Sequence, residues 1–177
     1  MARNVEIKAR VPNLAALAAN VAALADDGPT LIAQEDTFFE CTHGRLKLRA
    51  FSPTEGELIY YERGDSVGPK ESRYVRTPCA DPEGLKEVLG RALGIRGVIR
   101  KRRHLFHVGQ TRIHLDEVED LGDFLELEVV LRDDQEVVDG VDTARRLMSD
   151  LGVVEEDLVP QAYIDLLAAV APVRGCG

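Results

Sequence analysis

The sequence contains no tryptophan, only three cysteines and no long apolar run. The cysteines, Cys41, Cys79 and Cys176, form no close-spaced motif and are odd in number. We expect no signal peptide ahead of the first predicted strand. We therefore expect a reduced, cytoplasmic location. No apolar stretch approaches the ~18 residues that a membrane-spanning helix needs, so we expect no membrane partner. The motifs G-x-x-x-x-G-K-[ST] and G-x-S-x-G are also absent, which argues against a P-loop protein or an α/β-hydrolase.

Positive charge is scarce overall but locally concentrated. The 22 lysines and arginines are outnumbered by 31 acidic residues, and the net charge is −9. This balance argues against a nucleic-acid polymer or an anionic membrane surface as a partner. The basic residues are nevertheless clustered at 45–49 and 100–103. Local positive potential inside an acidic protein suits a small anion that is held in a pocket.

Length and apolar content indicate one folded domain. The chain has 177 residues, and 45% of them are apolar, which is enough for a hydrophobic core. No internal repeat, low-complexity segment or linker divides the sequence. We therefore predict a single domain over residues 1–172, followed by a flexible tail at 173–177.

Three segments alternate strictly between apolar and charged residues, namely 5–11, 45–49 and 124–130. Period-two alternation of this kind is typical of a β-strand with one apolar and one polar face. Glu126 and Glu128 then project from the same face, about 6–7 Å apart along the strand. Two carboxylates so close repel each other unless a cation or a basic strand lies between them.

The remaining patterns predict about eight strands, linked mostly as antiparallel neighbours, and four amphipathic helices. The predicted strands are 5–11, 34–41, 44–51, 57–63, 70–76, 97–108, 111–118 and 124–130, and the predicted helices are 14–24, 82–93, 142–151 and 159–170.

These elements predict an α+β fold in which an eight-stranded antiparallel β-barrel is covered on its outside by the helices. The helices need an apolar surface, and the apolar strand faces supply it, so the charged faces must point into the barrel. Eight strands enclose an interior wide enough for one small ligand. Each charged strand taken alone is also compatible with an edge strand whose polar face is solvated.

A barrel interior that is basic on some strands and acidic on another suits polyphosphate chemistry. Arginine and lysine bind phosphate oxygens, and carboxylates bind a hard cation such as Mg²⁺ or Mn²⁺. Phosphoryl transfer needs no side-chain nucleophile, because it depends mainly on positioning and electrostatics. The alternative is a set of internal salt bridges without a ligand, which is costly because the charges must be desolvated.

Several motifs resemble those of the CYTH superfamily, the triphosphate tunnel metalloenzymes. The resemblance runs from Val5 to about Leu167, and its motifs are V-E-I-K, D-T-F-F, R-L-K-L-R, H-L-D-E-V-E and L-G-D-F-L-E-L-E. It implies an eight-stranded antiparallel tunnel that binds a triphosphate together with Mg²⁺ or Mn²⁺. The motif set is most similar to the branch of class IV adenylyl cyclases.

The resemblance also implies roles for individual residues. The expected catalytic residues are Glu6, Lys8, Asp116, Glu126 and Glu128. All of these except Lys8 match the metal-binding carboxylates. The expected phosphate-binding residues are Lys8, Arg45, Lys47, Arg49, Arg63, Lys70, Lys101 and Arg103.

One departure from the family pattern concerns the number of metal ions. The family has E-x-E-x-K near its N-terminus, and this chain has asparagine at the first of these positions, Asn4. We therefore expect one metal site and leave a second one open. His114 shares a strand face with Asp116, and it is either structural or a contact to metal or substrate.

The same triphosphate site permits two reactions. Attack by a ribose hydroxyl on the α-phosphorus of ATP gives cyclic AMP and pyrophosphate, whereas attack by water on a terminal phosphorus gives orthophosphate. The candidate partners are ATP, tripolyphosphate and thiamine triphosphate, and the chain is expected to be a monomer or a homodimer. The lack of tryptophan removes one stacking group for adenine or thiazole, although tyrosine and phenylalanine remain. A non-catalytic binder of polyphosphate or nucleotide is the third alternative.

Overall fold

A computed structural model describes residues 1–170 and places eight strands in one closed antiparallel barrel. The order around the barrel is β1-β5-β4-β3-β2-β6-β7-β8. The strands are β1 (Ala2–Arg10), β2 (Asp27–Phe39), β3 (Arg45–Ser52), β4 (Glu55–Arg63), β5 (Lys70–Cys79), β6 (Ile95–Val108), β7 (Thr111–Val118) and β8 (Gly122–Val130). Because β1 pairs with both β5 and β8, the sheet has no free edge. The predicted α+β barrel is confirmed.

Four α-helices lie outside the strands within the described chain: α1 (Leu14–Leu24), α2 (Pro82–Leu93), α3 (Val137–Leu151) and α4 (Tyr163–Val170). Asn13 caps α1 by accepting a hydrogen bond from the Ala16 amide, and Asp81 caps α2 by accepting one from the Gly84 amide. A short 3₁₀-helix, Glu155–Asp157, precedes α4. None of these helices is long and apolar enough to cross a membrane.

The hydrophobic core lies between the outer barrel face and the helices, as the alternation predicts. Leu125, Leu127 and Val129 of β8 are fully buried. This layer packs against α1 and α3. Helix α3 approaches β1 closely at Gly140, where a Cβ atom added to the glycine would lie 2.7 Å from Val5 Cγ2. The main cluster contains Ile7, Ala9, Leu17, Val21, Phe106, Ile113, Leu115, Leu125, Leu127, Leu147, Met148 and Leu151.

Three predicted boundaries differ from the structure by more than three residues. Strand β2 begins at Asp27, seven residues before the predicted start at Gln34, because Gly28-Pro29 lies at a register shift inside the strand and does not interrupt it. Helix α3 begins at Val137, since Glu136 and Asp139 form a capping box. Helix α4 begins at Tyr163 and not at Val159. The predicted tail at 173–177 lies outside the described residues.

The segment from Val159 to Asp165 lies across one end of the barrel. The amide of Val159 donates to the Lys8 carbonyl, and Tyr163 packs edge-on against Phe124 at 5.0 Å between ring centroids. The carbonyl of Pro160 accepts from Arg63 of β4, and the Asp165 carboxylate accepts from Arg45 of β3, the strand opposite β8. A segment that contacts strands on opposite sides must cover the opening between them.

Candidate functional site

The barrel encloses a cavity of about 260 Å³ whose walls are strongly charged. Strand alternation places every second residue of β1, β3, β4, β6 and β8 on its inner face, and many of these residues are charged. Nine of the twelve expected catalytic and phosphate-binding residues line it: Glu6, Lys8, Lys47, Arg49, Arg63, Lys101, Arg103, Glu126 and Glu128. The other three, Arg45, Lys70 and Asp116, lie outside this lining, and the structure surrounds each of them with hydrogen-bond partners.

Asp36 on β2 holds one basic pair of the cavity. Its Oδ2 accepts from Lys47 Nζ at 2.9 Å, and its two oxygens accept from Arg49 Nε and a terminal guanidinium nitrogen at 2.8 Å each. The side chain is 2% exposed. Burial disfavours the ionised carboxyl, but the charges of Arg49 and Lys47 outweigh it and hold the pKa of Asp36 well below its usual range.

Asp116 on β7 holds a second basic pair in the same way. It accepts from Lys101 Nζ at 2.6 Å and from two nitrogens of Arg103 at 2.7 Å each, and the Tyr163 hydroxyl donates to it at 3.1 Å. Burial opposes the ionised form, yet Arg103 and Lys101 lower the pKa of Asp116. A metal ion at Asp116 would have to replace one of these hydrogen bonds.

The two carboxylates of β8 lie against the basic residues of neighbouring strands. Glu126 accepts from Arg103 at 2.7 Å and lies 3.4 Å from Lys8 Nζ, while Glu128 accepts from Arg112 at 3.0 Å. Burial opposes their ionisation, but Lys101 and Lys8 hold the pKa of Glu126 well below its usual range. His114 and Arg112 likewise lower the pKa of Glu128 to about 2. Both groups are therefore anionic at neutral pH.

His114 faces these carboxylates from β7. One ligand atom from each of His114, Glu126 and Glu128 lies within 4.8 Å of the others. This is the one such group of three potential ligands among residues 1–170. Two carboxylates in a buried cavity fit a divalent cation, because carboxylate oxygens are the ligands that Mg²⁺ and Mn²⁺ prefer.

Burial shifts the pKa values of the β1 residues Glu6 and Lys8 in opposite directions. Glu6 accepts from Arg63 at 2.6 Å, but burial is the larger influence and raises the pKa of Glu6. Burial also lowers the pKa of Lys8 to about 8, and it lowers the pKa of Lys47 to about 8. These lysines are thus easily converted between charged and neutral forms near physiological pH.

Arg45 and Lys70 are positioned at the covered end of the barrel. Arg45 forms ion pairs with Asp65 at 2.9 Å and with Asp165 at 3.2 Å. Lys70 donates to the Ser66 carbonyl at 2.8 Å and to the Pro160 carbonyl at 3.0 Å. In this arrangement both side chains bind protein groups, so contact with a phosphate requires that these hydrogen bonds be exchanged.

Three residues that contact the predicted site residues were not predicted from the sequence, namely Asp36, Arg112 and Tyr163. Asp36 lies in the D-T-F-F motif, and its alternation with Phe38 could have placed it on the inner face. Arg112 could have been found because it shares a strand face with His114. Tyr163 had no such signal, since it belongs to a helix that was predicted to lie outside the barrel; its ring lies 3.8 Å below Lys8 Nζ and 4.7 Å from Lys101 Nζ.

Asn4, the position that departs from the family pattern, also lines the cavity. It is 3% exposed, and its Oδ1 has no hydrogen-bond partner among residues 1–170. A neutral amide at this point leaves the inner face of β1 with one carboxylate, that of Glu6.

Comparison with known proteins gives a consistent result. The CYTH domain family matches residues 2–163, whereas no curated protein matches the chain significantly. A solved structure of a Pyrococcus horikoshii protein has 28% identity and a TM-score of 0.83, over 92% of this chain and 98% of that chain. A candidate adenylate cyclase from Vibrio parahaemolyticus has 21% identity and a TM-score of 0.77, over 93% and 97%.

A third solved structure is a candidate adenylyl cyclase from Hippeastrum that is described as having a dominant triphosphatase activity. It has 15% identity and a TM-score of 0.68, over 99% of this chain and 100% of that chain. At such low identity the Vibrio and Hippeastrum structures establish the shared fold alone. Enzymes of the CYTH superfamily are metal-dependent and are of the adenylyl cyclase or triphosphatase type. Since the family match covers nearly the whole described chain and the barrel has the expected topology, the protein belongs to the CYTH domain family.

Proposed function

We propose that the protein is a metal-dependent enzyme that binds a triphosphate in its barrel and converts ATP to cyclic AMP and pyrophosphate, as in class IV adenylyl cyclases. The observation that carries this proposal is the arrangement of the cavity wall. Two lysine–arginine pairs are held by Asp36 and Asp116, and they lie in the same cavity as the carboxylates Glu126 and Glu128.

The basic pairs would bind the phosphate chain. Lys47 and Arg49 come from β3, and Lys101 and Arg103 come from β6, so four cations surround the cavity from two directions. Because Asp36 and Asp116 fix their orientation, little side-chain entropy is lost when a phosphate binds. Lys8 and Arg63 add positive charge near the covered end.

The carboxylates Glu126 and Glu128 would hold the divalent cation, with Glu6 nearby on β1, where it is directly paired with Glu128 across the sheet. The predicted ligand Asp116 could join them only by releasing a hydrogen bond. When bound there, Mg²⁺ or Mn²⁺ would neutralise phosphate charge. The protein's own part is to exclude water, to orient the phosphates and to provide fixed positive charge where negative charge accumulates on the leaving group.

Hydrolysis of a triphosphate is the second candidate function, and the size of the cavity favours it. At about 260 Å³ the cavity lies below the ~300–1,000 Å³ of pockets that enclose a drug-sized ligand. It therefore suits the triphosphate group itself and leaves an attached base or thiazole at the open mouth. Inorganic tripolyphosphate, thiamine triphosphate and nucleoside triphosphates are the candidate substrates for this reaction.

Product analysis separates the alternatives. The protein is incubated with ATP, tripolyphosphate and thiamine triphosphate, each with Mg²⁺ and with Mn²⁺. Cyclic AMP with pyrophosphate supports the cyclase, orthophosphate supports the hydrolase, and binding without any product refutes both in favour of a non-catalytic binder. Glu126→Gln should abolish turnover, whereas Glu117→Gln, whose carboxylate lies on the outer face of β7 beside His104, should not.

A further inference from the structure

Within the part of the chain that the structure describes, the buried imidazole of His114 has no hydrogen-bond partner for its Nδ1 atom. The side chain is 3% exposed, and Nδ1 has no partner among the described residues. It lies 3.6 Å from Glu126 Oε2 and 3.8 Å from Glu128 Oε1, beyond hydrogen-bond distance from both. A buried polar atom left in this state destabilises the fold, so its retention between two carboxylates requires an explanation.

The sheet register fixes this arrangement. His114 on β7 is directly opposite Glu126 on β8, and Arg112 is opposite Glu128. Arg112 occupies Oε2 of Glu128, which leaves Oε1 directed toward the imidazole. The three ligand atoms lie within 4.8 Å of one another. Two ligands of the same metal ion, each bonded to it at about 2.0–2.2 Å, are separated by ~3–4.4 Å, so only a small movement would bring the three atoms to bonding distance of one ion.

All four expected carboxylate ligands have basic partners, and Glu126 accepts from Arg103 at 2.7 Å through Oε2, the oxygen that faces His114. Glu6 accepts from Arg63 at 2.6 Å, and Asp116 is bound by Lys101 and Arg103. What distinguishes the two carboxylates of β8 is that, within residues 1–170, they lie beside a buried nitrogen atom that has no partner.

We propose that His114 is the third protein ligand of a single divalent metal site, together with Glu126 and Glu128, and that this mixed nitrogen–oxygen site binds Mn²⁺ in preference to Mg²⁺. Mg²⁺ demands oxygen ligands and gives up water reluctantly, whereas imidazole nitrogen is a good ligand for transition metals. A cation at this point also neutralises the two carboxylates and satisfies the buried ring nitrogen. The catalytic use of the ion rests on the proposed function, but its ligation by His114 does not.

Electron spin echo envelope modulation of Mn²⁺ bound to the full chain tests the ligation directly. The wild-type protein should show coupling to an imidazole nitrogen, and His114→Gln should lose it. His104→Gln is the matched control, because His104 lies on the outer face of the neighbouring strand beside Glu117 and should leave the spectrum unchanged.

Titration calorimetry without substrate gives the second readout. His114→Gln should weaken Mn²⁺ binding by at least ~10-fold, the low end of the effect seen for residues that merely support metal ligands. It should change Mg²⁺ binding by much less, so that the preference for Mn²⁺ collapses. If the variant fails to fold, the wild-type spectrum decides alone.

The outcomes separate this inference from the proposed function. Bound Mn²⁺ without nitrogen coupling, or no Mn²⁺ binding by the wild-type protein, overturns the assignment of His114 even if triphosphate is turned over. Nitrogen coupling in a protein that forms no product from any triphosphate supports the assignment and refutes the proposed enzyme activity.

Discussion

Replacing Asp36 by asparagine tests whether buried aspartates hold the basic pairs of the cavity. The substitution keeps the shape but removes the charge that faces Lys47 and Arg49 at 2.8–2.9 Å. Removing one partner of a buried ion pair typically destabilises a protein by about 3–5 kcal/mol, because the remaining charges are left buried without compensation. For a chain of this size, 1 kcal/mol corresponds to about 2–4 °C in Tm. We therefore expect Asp36→Asn to lower Tm by about 6–20 °C.

Thermal unfolding with and without tripolyphosphate measures this effect and its cause. The variant has one more uncompensated positive charge in the cavity, so the anion should raise its Tm by more than it raises that of the wild-type protein. A ligand at 100 times its Kd stabilises by about 2.7 kcal/mol through binding alone, which sets the scale of the wild-type shift.

Glu57→Gln is the matched control, because Glu57 also lines the cavity but lies 3.7 Å from Arg76, whose side chain is 52% exposed. An ion pair of that kind contributes at most ~1 kcal/mol, so Tm should fall by less than about 4 °C. If Asp36→Asn melts within about 2 °C of the wild-type protein, less than 1 kcal/mol has been lost and the reasoning is refuted.

Three further predictions concern pH, turnover and the covered end of the barrel. Because burial lowers the pKa of Lys8 and of Lys47 to about 8, both lysines lose their protons as the pH rises through that value. The value of kcat/KM for a triphosphate should therefore fall near pH 8. A pH profile that stays level to about pH 10, the ordinary range of lysine, would contradict this. Glu128→Gln should lower kcat by at least ~100-fold, as measured by product formation, and unchanged kcat would remove the carboxylate from the mechanism. Tyr163→Phe deletes the 3.1 Å hydrogen bond to Asp116 and should cost about 1.5–3 kcal/mol, seen as a fall in Tm; equal melting curves would show that this bond is not needed.

The face on which each charged strand residue lies was predictable from alternation alone. A period of two in 45–49 and 124–130 admits one apolar face, and a chain with enough helices to cover that face must turn the charges inward. The same argument directs Arg100 and Arg102 outward, and their side chains are 56% and 73% exposed.

The pairing of those charges was not predictable, because it depends on register between strands that are distant in sequence. Asp36 meets Arg49 only because β2 and β3 pair them, and Asp116 meets Arg103 through the pairing of β6 with β7. The contact of Tyr163 with Asp116 depends on how the chain returns to the barrel after α3, which no local pattern encodes. The start of α3 was missed because its cap is Glu136 and not one of the residues that usually begin helices.

The pairing of β1 with β8 joins the first strand that the ribosome synthesises to the last one. Lys8 is opposite Glu126, and Glu6 is opposite Glu128, so the seam of the barrel runs through the proposed metal site. A ribosome that adds ~5–20 residues per second needs on the order of 10 s between these two strands. During that time the carboxylates and their partners on β1 cannot meet, and an early strand must wait with unsatisfied backbone groups. The proposed metal site is therefore complete only once β8 has paired with β1, and a nascent chain that stalls before β8 has neither a closed wall nor the two carboxylates of that site.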